Sequence, residues 1–107
     1  MLLLFLNRRN RDMTIKEVVD IVDSIKPNQY GIEEKTRWLS FLDAIIINDV
    51  IKTHEGYEGQ YDEFEGYSPD KTNTKLIVDA PYDNLYEAYL KMKIDEENGK
   101  EFFVIRS

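Results

Sequence analysis

The stretch Thr14-Ile15-Lys16-Glu17-Val18-Val19-Asp20-Ile21-Val22-Asp23-Ser24-Ile25-Lys26-Pro27 decides the fold class. Thr14 and Glu17 stand at capping-box spacing, where the hydroxyl accepts from the amide of Glu17 and the carboxylate reaches back. Ile15, Val18, Val19, Val22 and Ile25 then recur on one helical face, with Lys16, Glu17, Asp20 and Asp23 opposite, until Pro27 ends the run. A helix of about three turns follows.

Downstream, Lys26-Pro27-Asn28-Gln29-Tyr30-Gly31 is a short connection rich in turn formers, of a length that joins antiparallel neighbouring helices. A second helix is predicted from about Ile32 to Thr53. Glu33 and Glu34 favour its dipole, and Trp38, Leu39, Leu42, Ile45, Ile46 and Val50 form its apolar stripe. Ile45-Ile46-Ile47 also admits a strand reading, because β-branched residues lose χ1 freedom in a helix, but the flanking registers favour helix.

Between Glu55 and Asp70 the pattern breaks. Gly56, Gly59, Gly66 and Pro69 punctuate a run of carboxylates with no Lys or Arg, while Tyr57, Tyr61, Phe64 and Tyr67 supply aromatic anchors. The expectation is an acidic irregular loop, partly extended by self-repulsion and fastened by its rings to the core or to a partner. Thr74–Val78 reads as a short extended segment. Pro81 then suits the first turn of a third helix running to about Asn98, with Tyr82, Leu85, Tyr86, Tyr89, Met92 and Ile94 as its stripe and Asn98-Gly99 as its stop. Tyr86 and Tyr89 place hydroxyls at the edge of that stripe, as interfaces often do. The fold class expected is mainly α: an antiparallel helix hairpin plus a third helix, an acidic irregular loop and at most a short strand.

The chain has 107 residues, room for one domain and one core. Its expected organisation is a non-native or disordered extension at 1–12, a helical domain at 13–99 and a divergent tail at 100–107, with Met13 as the natural start. The run Met1–Leu6 precedes Arg8, Arg9 and Arg11, the reverse of a secretory signal, and is far shorter than the roughly 20 apolar residues of a membrane span. At 42% apolar and 33% charged the chain has material for a packed interior. Twenty-one acids against fourteen bases give a net charge of −7, which opposes nucleic acid and anionic lipid. The absence of cysteine excludes disulfides, thiolate zinc sites and thiol catalysis.

Catalytic patterns are missing. The single histidine, His54, sits at the end of the second helix, where it interacts favourably with terminal carbonyls. A metal or general-base role with Asp62 or Glu63 lacks any H-x-x-H or HExxH spacing. The Asp62–Glu65 carboxylates lack the order of a calcium loop, and no G-x-S-x-G, Walker or G-x-G-x-x-G motif occurs. No catalytic residue, cofactor or metal ligand is therefore expected. The interaction candidates are Tyr57, Tyr61, Phe64, Tyr67, Tyr86 and Tyr89.

Several pieces of the chain occur in a distinctive order: Met13–Asp20, Lys26–Tyr30, Lys35–Ser40 with Leu42-Asp43, Thr53–Gly56, Pro81–Asp83 with Leu85-Tyr86, and Ile94-Asp95 with Asn98-Gly99. This succession resembles a family of small virion-module proteins of tailed phages and prophages of Gram-positive bacteria. The resemblance implies a helical head-tail connector or head-completion subunit, a homo-oligomer whose partners are portal, capsid or tail components. It implies residence in the virion or the bacterial host cytoplasm; with the charge as it is, neither direct sequence-specific nucleic-acid binding nor membrane binding is expected. Such proteins usually continue past the Asn-Gly with another polar helix; here Lys100–Ser107 departs from that pattern, as a truncation or frame change would. Two other readings stay open: a small acidic regulatory protein that binds a basic protein partner, and a metal-dependent hydrolase centred on His54.

Overall fold

The first helix begins where its leading amides find acceptors. In a computed structural model, which describes residues 13–79 and 82–106, the last of these from Glu101 on by backbone course alone, α1 spans Ile15–Ile25. Ile15 N donates to the Thr74 carbonyl at 3.1 Å and Lys16 N to that of Thr72 at 2.9 Å. Glu17 N donates to Thr14 Oγ1 at 3.2 Å, and Val18 N to the Thr14 carbonyl at 3.2 Å. The orphan amides of Ile15, Lys16 and Glu17 are thus satisfied, and the Val18 bond opens the intrahelical ladder. The Glu17 carboxylate accepts in return from Thr14 N, so the capping box is complete. The expected extension at 1–12 lies outside the described residues.

α1 ends before Pro27, and the connection is a polar joint. Asn28 Nδ2 donates to Asp23 Oδ1 at 3.0 Å and to the Lys26 carbonyl at 2.9 Å, while its Oδ1 accepts from Tyr30 N at 3.0 Å. Lys35 Nζ, on a side chain only 3% exposed, donates to Asp23 Oδ1 and to the Tyr30 carbonyl, each at 2.7 Å. The Tyr30 ring meets Trp38 edge-on at 5.5 Å, and its hydroxyl donates to Asn98 Oδ1 at 2.8 Å. This joint ties all three helices together at one end.

α2 spans Ile32–Ile46 and passes directly into a π-helical turn, Ile47–Ile51, closed by Lys52 N donating to the Ile47 carbonyl at 2.8 Å. The Ile45-Ile46-Ile47 run is therefore helical. The restricted χ1 of its β-branched side chains is accommodated in helix, and the wider turn begins at the third of them. The stripe also differs from expectation. Trp38, Leu39 and Ile47 are buried, but Ile45 and Val50 are exposed, and Lys35, Thr36 and Asp43 take inward positions.

The acidic segment turns tightly instead of running extended, with Gly56, Gly59 and Gly66 all at positive φ. Lys75 then forms a single antiparallel bridge to Thr14, and Leu76 N donates to the Met13 carbonyl at 2.8 Å. That bridge is the one trace of sheet among the described residues.

α3 spans Asn84–Arg106, which corrects the expected helix at both ends. Pro81 lies outside the described residues, and the backbone bonds from Tyr82 N to Asp79 O and from Tyr86 N to Asp83 O form turns ahead of the helix. Asn98-Gly99 does not stop it. Asn98 is engaged by Tyr30, and the Lys93–Glu96 pair at 3.2 Å and Lys100–Glu97 pair at 3.1 Å bracket the dipeptide. Such pairs contribute about 0.2–0.5 kcal/mol each and offset part of the roughly 1 kcal/mol that a helical glycine costs. The buried face of α3 is Tyr86, Leu90 and Ile94, whereas Tyr82 and Met92, expected inside, are exposed.

Each helix packs on the other two. The core joins Ile15, Val18, Val19 and Val22 of α1 to Trp38 and Leu39 of α2, to Leu76, and to the inward face of α3. The chain is mainly helical, as its periodicity predicts. Among the described residues no helix is long and apolar enough to cross a membrane.

Candidate functional site

Leu39 and Asp43 of α2 and Ile47 of the π-helical turn share one inward face, so the carboxylate of Asp43 is carried into the core, where it is fully buried. Its Oδ1 accepts from the Tyr86 hydroxyl at 2.7 Å, and its Oδ2 accepts from the Tyr67 hydroxyl and from Ile77 N at 3.3 Å. The Tyr86 hydroxyl itself accepts from Val78 N at 2.8 Å. One side chain of α2 thus gathers the loop, the extended segment and α3. Burial pushes the Asp43 carboxyl above the usual carboxylate range, against the opposing pull of its three hydrogen-bond donors. Burial first, and the Asp43 carboxylate second, push both phenols well above the ordinary tyrosine value. A perturbed carboxyl is a common mark of catalysis, but here both oxygens are occupied and closed off from solvent. The arrangement positions chain segments.

Next to it the acidic loop is latched to α2. Ser40 Oγ donates to the Thr36 carbonyl at 2.8 Å and accepts from Tyr67 N at 2.8 Å. Gly66, at φ +105°, passes so close that a Cβ there would sit 3.2 Å from Ser40 Cβ and Oγ. Phe64 stacks edge-on against Tyr67 at 5.2 Å. The latch holds the rest of the loop over the end of the second helix.

There the π-helical turn and the loop enclose an open, mostly apolar cleft of about 370 Å³. Val50 and Ile51 form one wall, and His54, Tyr57, Gln60 and Tyr61 form the other. The Tyr57 hydroxyl braces the loop by donating to Asp62 Oδ1 at 2.8 Å and accepting from Tyr61 N at 2.9 Å. Partial burial and the Asp62 carboxylate hold the Tyr57 phenol above its ordinary value. Asp62 also lies 3.7 Å from Lys52.

The six interaction candidates separate accordingly. Tyr57 and Tyr61 line the cleft; Phe64 and Tyr67 fasten the loop to α2. Tyr89 is half-buried against the core, its phenol raised by burial despite nearby Lys93. Tyr86 is a correction: it is fully buried, so it serves the interior and is out of reach of any partner. His54 is exposed at the cleft wall, and among the described residues no group of three or more His, Cys, Asp or Glu is placed to hold a metal ion. The sequence pattern missed Asp43, Lys35 and Ser40. A detectable signal was present for Asp43, since it stands four residues from both Leu39 and Ile47.

No protein-family model, curated protein or solved structure matches the chain.

Proposed function

We propose that this chain is a structural protein of a tailed-phage or prophage virion, a head-tail connector or head-completion subunit that works by protein-protein assembly and catalyses no reaction. The observation that carries this reading is the ordered succession of segments across residues 13–99 that resembles that family. Several of its residues also join the helices: Tyr30 with Trp38 and Asn98, Lys26 with Asp95 at 2.8 Å, and Asp43 with Tyr86. A pattern that serves architecture, with aromatic and acidic side chains left at the surface, suits a subunit whose task is to fit its neighbours.

The test is to mix the full chain with the portal, major capsid and tail proteins encoded in the same genome and to weigh the products by light scattering after size exclusion. A defined complex with one of them, containing several copies of the chain, is the expected result. A chain that elutes alone from every mixture removes the reading. The acidic regulatory reading draws on the Glu55–Asp70 loop, and a salt-sensitive complex with a host DNA-binding protein in place of virion components would establish it.

A further inference from the structure

The net charge of the chain is concentrated in one place. Between Asp49 and Asp70 there are seven carboxylates and one lysine, so six of the seven net negative charges fall within that stretch, and the remainder of the chain is nearly neutral. The lysine, Lys52, lies 3.7 Å from Asp62. This stretch also builds the apolar cleft. Its wall includes Val50, which is 60% exposed although Ile47, at the start of the same turn, is buried. The π-helical turn that carries Val50 is itself an irregularity found often at functional sites.

We propose that the cleft between the π-helical turn and Tyr57–Tyr61 receives an apolar side chain from a basic segment of a partner protein, with the surrounding carboxylates steering and holding that segment. Glu55 lines the cleft and Asp62 is bonded to the Tyr57 hydroxyl in its wall, so apolar surface and negative charge lie together. Phosphate-bearing ligands are repelled by those carboxylates. A second copy docking here face to face would bring the two acidic loops together, which like-charge repulsion opposes. A segment with Arg or Lys on either side of a Leu or Ile satisfies the apolar lining and the neighbouring carboxylates at once. The proposal rests on the assembly reading and names the surface and the partner chemistry through which assembly occurs.

The experiment uses the full chain and two labelled 15-residue peptides of equal positive charge, one alternating arginine with leucine and the other arginine with serine, with binding followed by fluorescence anisotropy at low and physiological salt. The leucine peptide should bind about tenfold more tightly than the serine peptide. Val50→Ser should remove most of that difference, whereas Phe41→Ser, on an exposed part of α2 outside the cleft, should leave it unchanged. Equal binding of the two peptides, no binding of either, or a Val50→Ser protein that still discriminates between them overturns the proposal. Two further outcomes separate it from the assembly reading. If V50S joins the virion component as well as the parent chain does, the surface is wrong and assembly stands. If the cleft discriminates as stated but no virion protein binds, the surface stands and the virion role falls.

Discussion

Replacing Tyr86 by phenylalanine tests whether the buried carboxylate holds the fold together. The substitution keeps the ring and deletes one hydroxyl, which donates to Asp43 Oδ1 at 2.7 Å and accepts from Val78 N at 2.8 Å. Two polar groups are then left without their partner, one of them a carboxylate oxygen. A buried unsatisfied group costs about 1–3 kcal/mol, so the loss should be about 3–5 kcal/mol. That is a large share of the roughly 5–15 kcal/mol typical of a native domain. Asp43→Asn keeps the shape but turns one acceptor into a donor. The Tyr67 hydroxyl can rotate to accept, but the Ile77 amide cannot, and about 2–3 kcal/mol is expected. The double variant should lose about 1–2 kcal/mol less than the sum, because the shared bond is removed only once. Trp38, the single tryptophan, is buried, so its fluorescence reports unfolding in urea. A Tyr86→Phe cost below about 1 kcal/mol, or strictly additive losses, would refute the reasoning.

The same carboxyl predicts the sign of a pH effect. Burial raises its pKa in the folded state, so from the ordinary value of 3.8 upward the folded chain holds the proton longer than the unfolded one. Its contribution to stability is complete below that value and is lost as pH rises through the folded pKa. The stability of the parent chain relative to Asp43→Asn should therefore decline across the weakly acidic range, and urea titrations showing the gap growing with pH would contradict this. Gly66→Ala should destabilise by about 1–2 kcal/mol, since the residue needs φ +105° and the new Cβ meets Ser40 at 3.2 Å. Gly99→Ala, in a helix with nothing within 4 Å of the new Cβ, should instead stabilise by about 0.5–1 kcal/mol. Thermal melts read both, and a lowered midpoint for Gly99→Ala would count against an uninterrupted α3.

What could be read from the residues alone follows the range of the interactions involved. The start of α1 depends on Thr14 and Glu17, three positions apart, and its end on Pro27, so both were legible. The Tyr30–Trp38 contact lies within one hairpin. Asp43 was obscured because its partners Tyr67, Ile77 and Tyr86 arrive from three other parts of the chain, and an acid four residues from a leucine does not announce them. Leu90 is masked in the sequence by the tyrosines around it, which draw the α3 stripe toward Tyr82 and Met92, residues that face solvent. Asn98-Gly99 carries a strong local stop signal that loses to the pairs formed by Lys93 and Lys100 and to the distant Tyr30 hydroxyl. The Tyr57–Tyr61 wall of the cleft was anticipated as a set of anchors, but Val50 was assigned to the core, because a π-helical turn shifts the register that α-periodicity assumes.

The carbonyls of Thr72 and Thr74 that serve the leading amides of α1 have a consequence for biosynthesis. As the chain leaves the ribosome, the first helix emerges early, yet the atoms that complete its start are made only after the second helix and the whole acidic loop. The amino-terminal half alone lacks those two acceptors, and a nascent chain released before Thr72 would leave the exit tunnel with the Ile15 and Lys16 amides turned to water in their place.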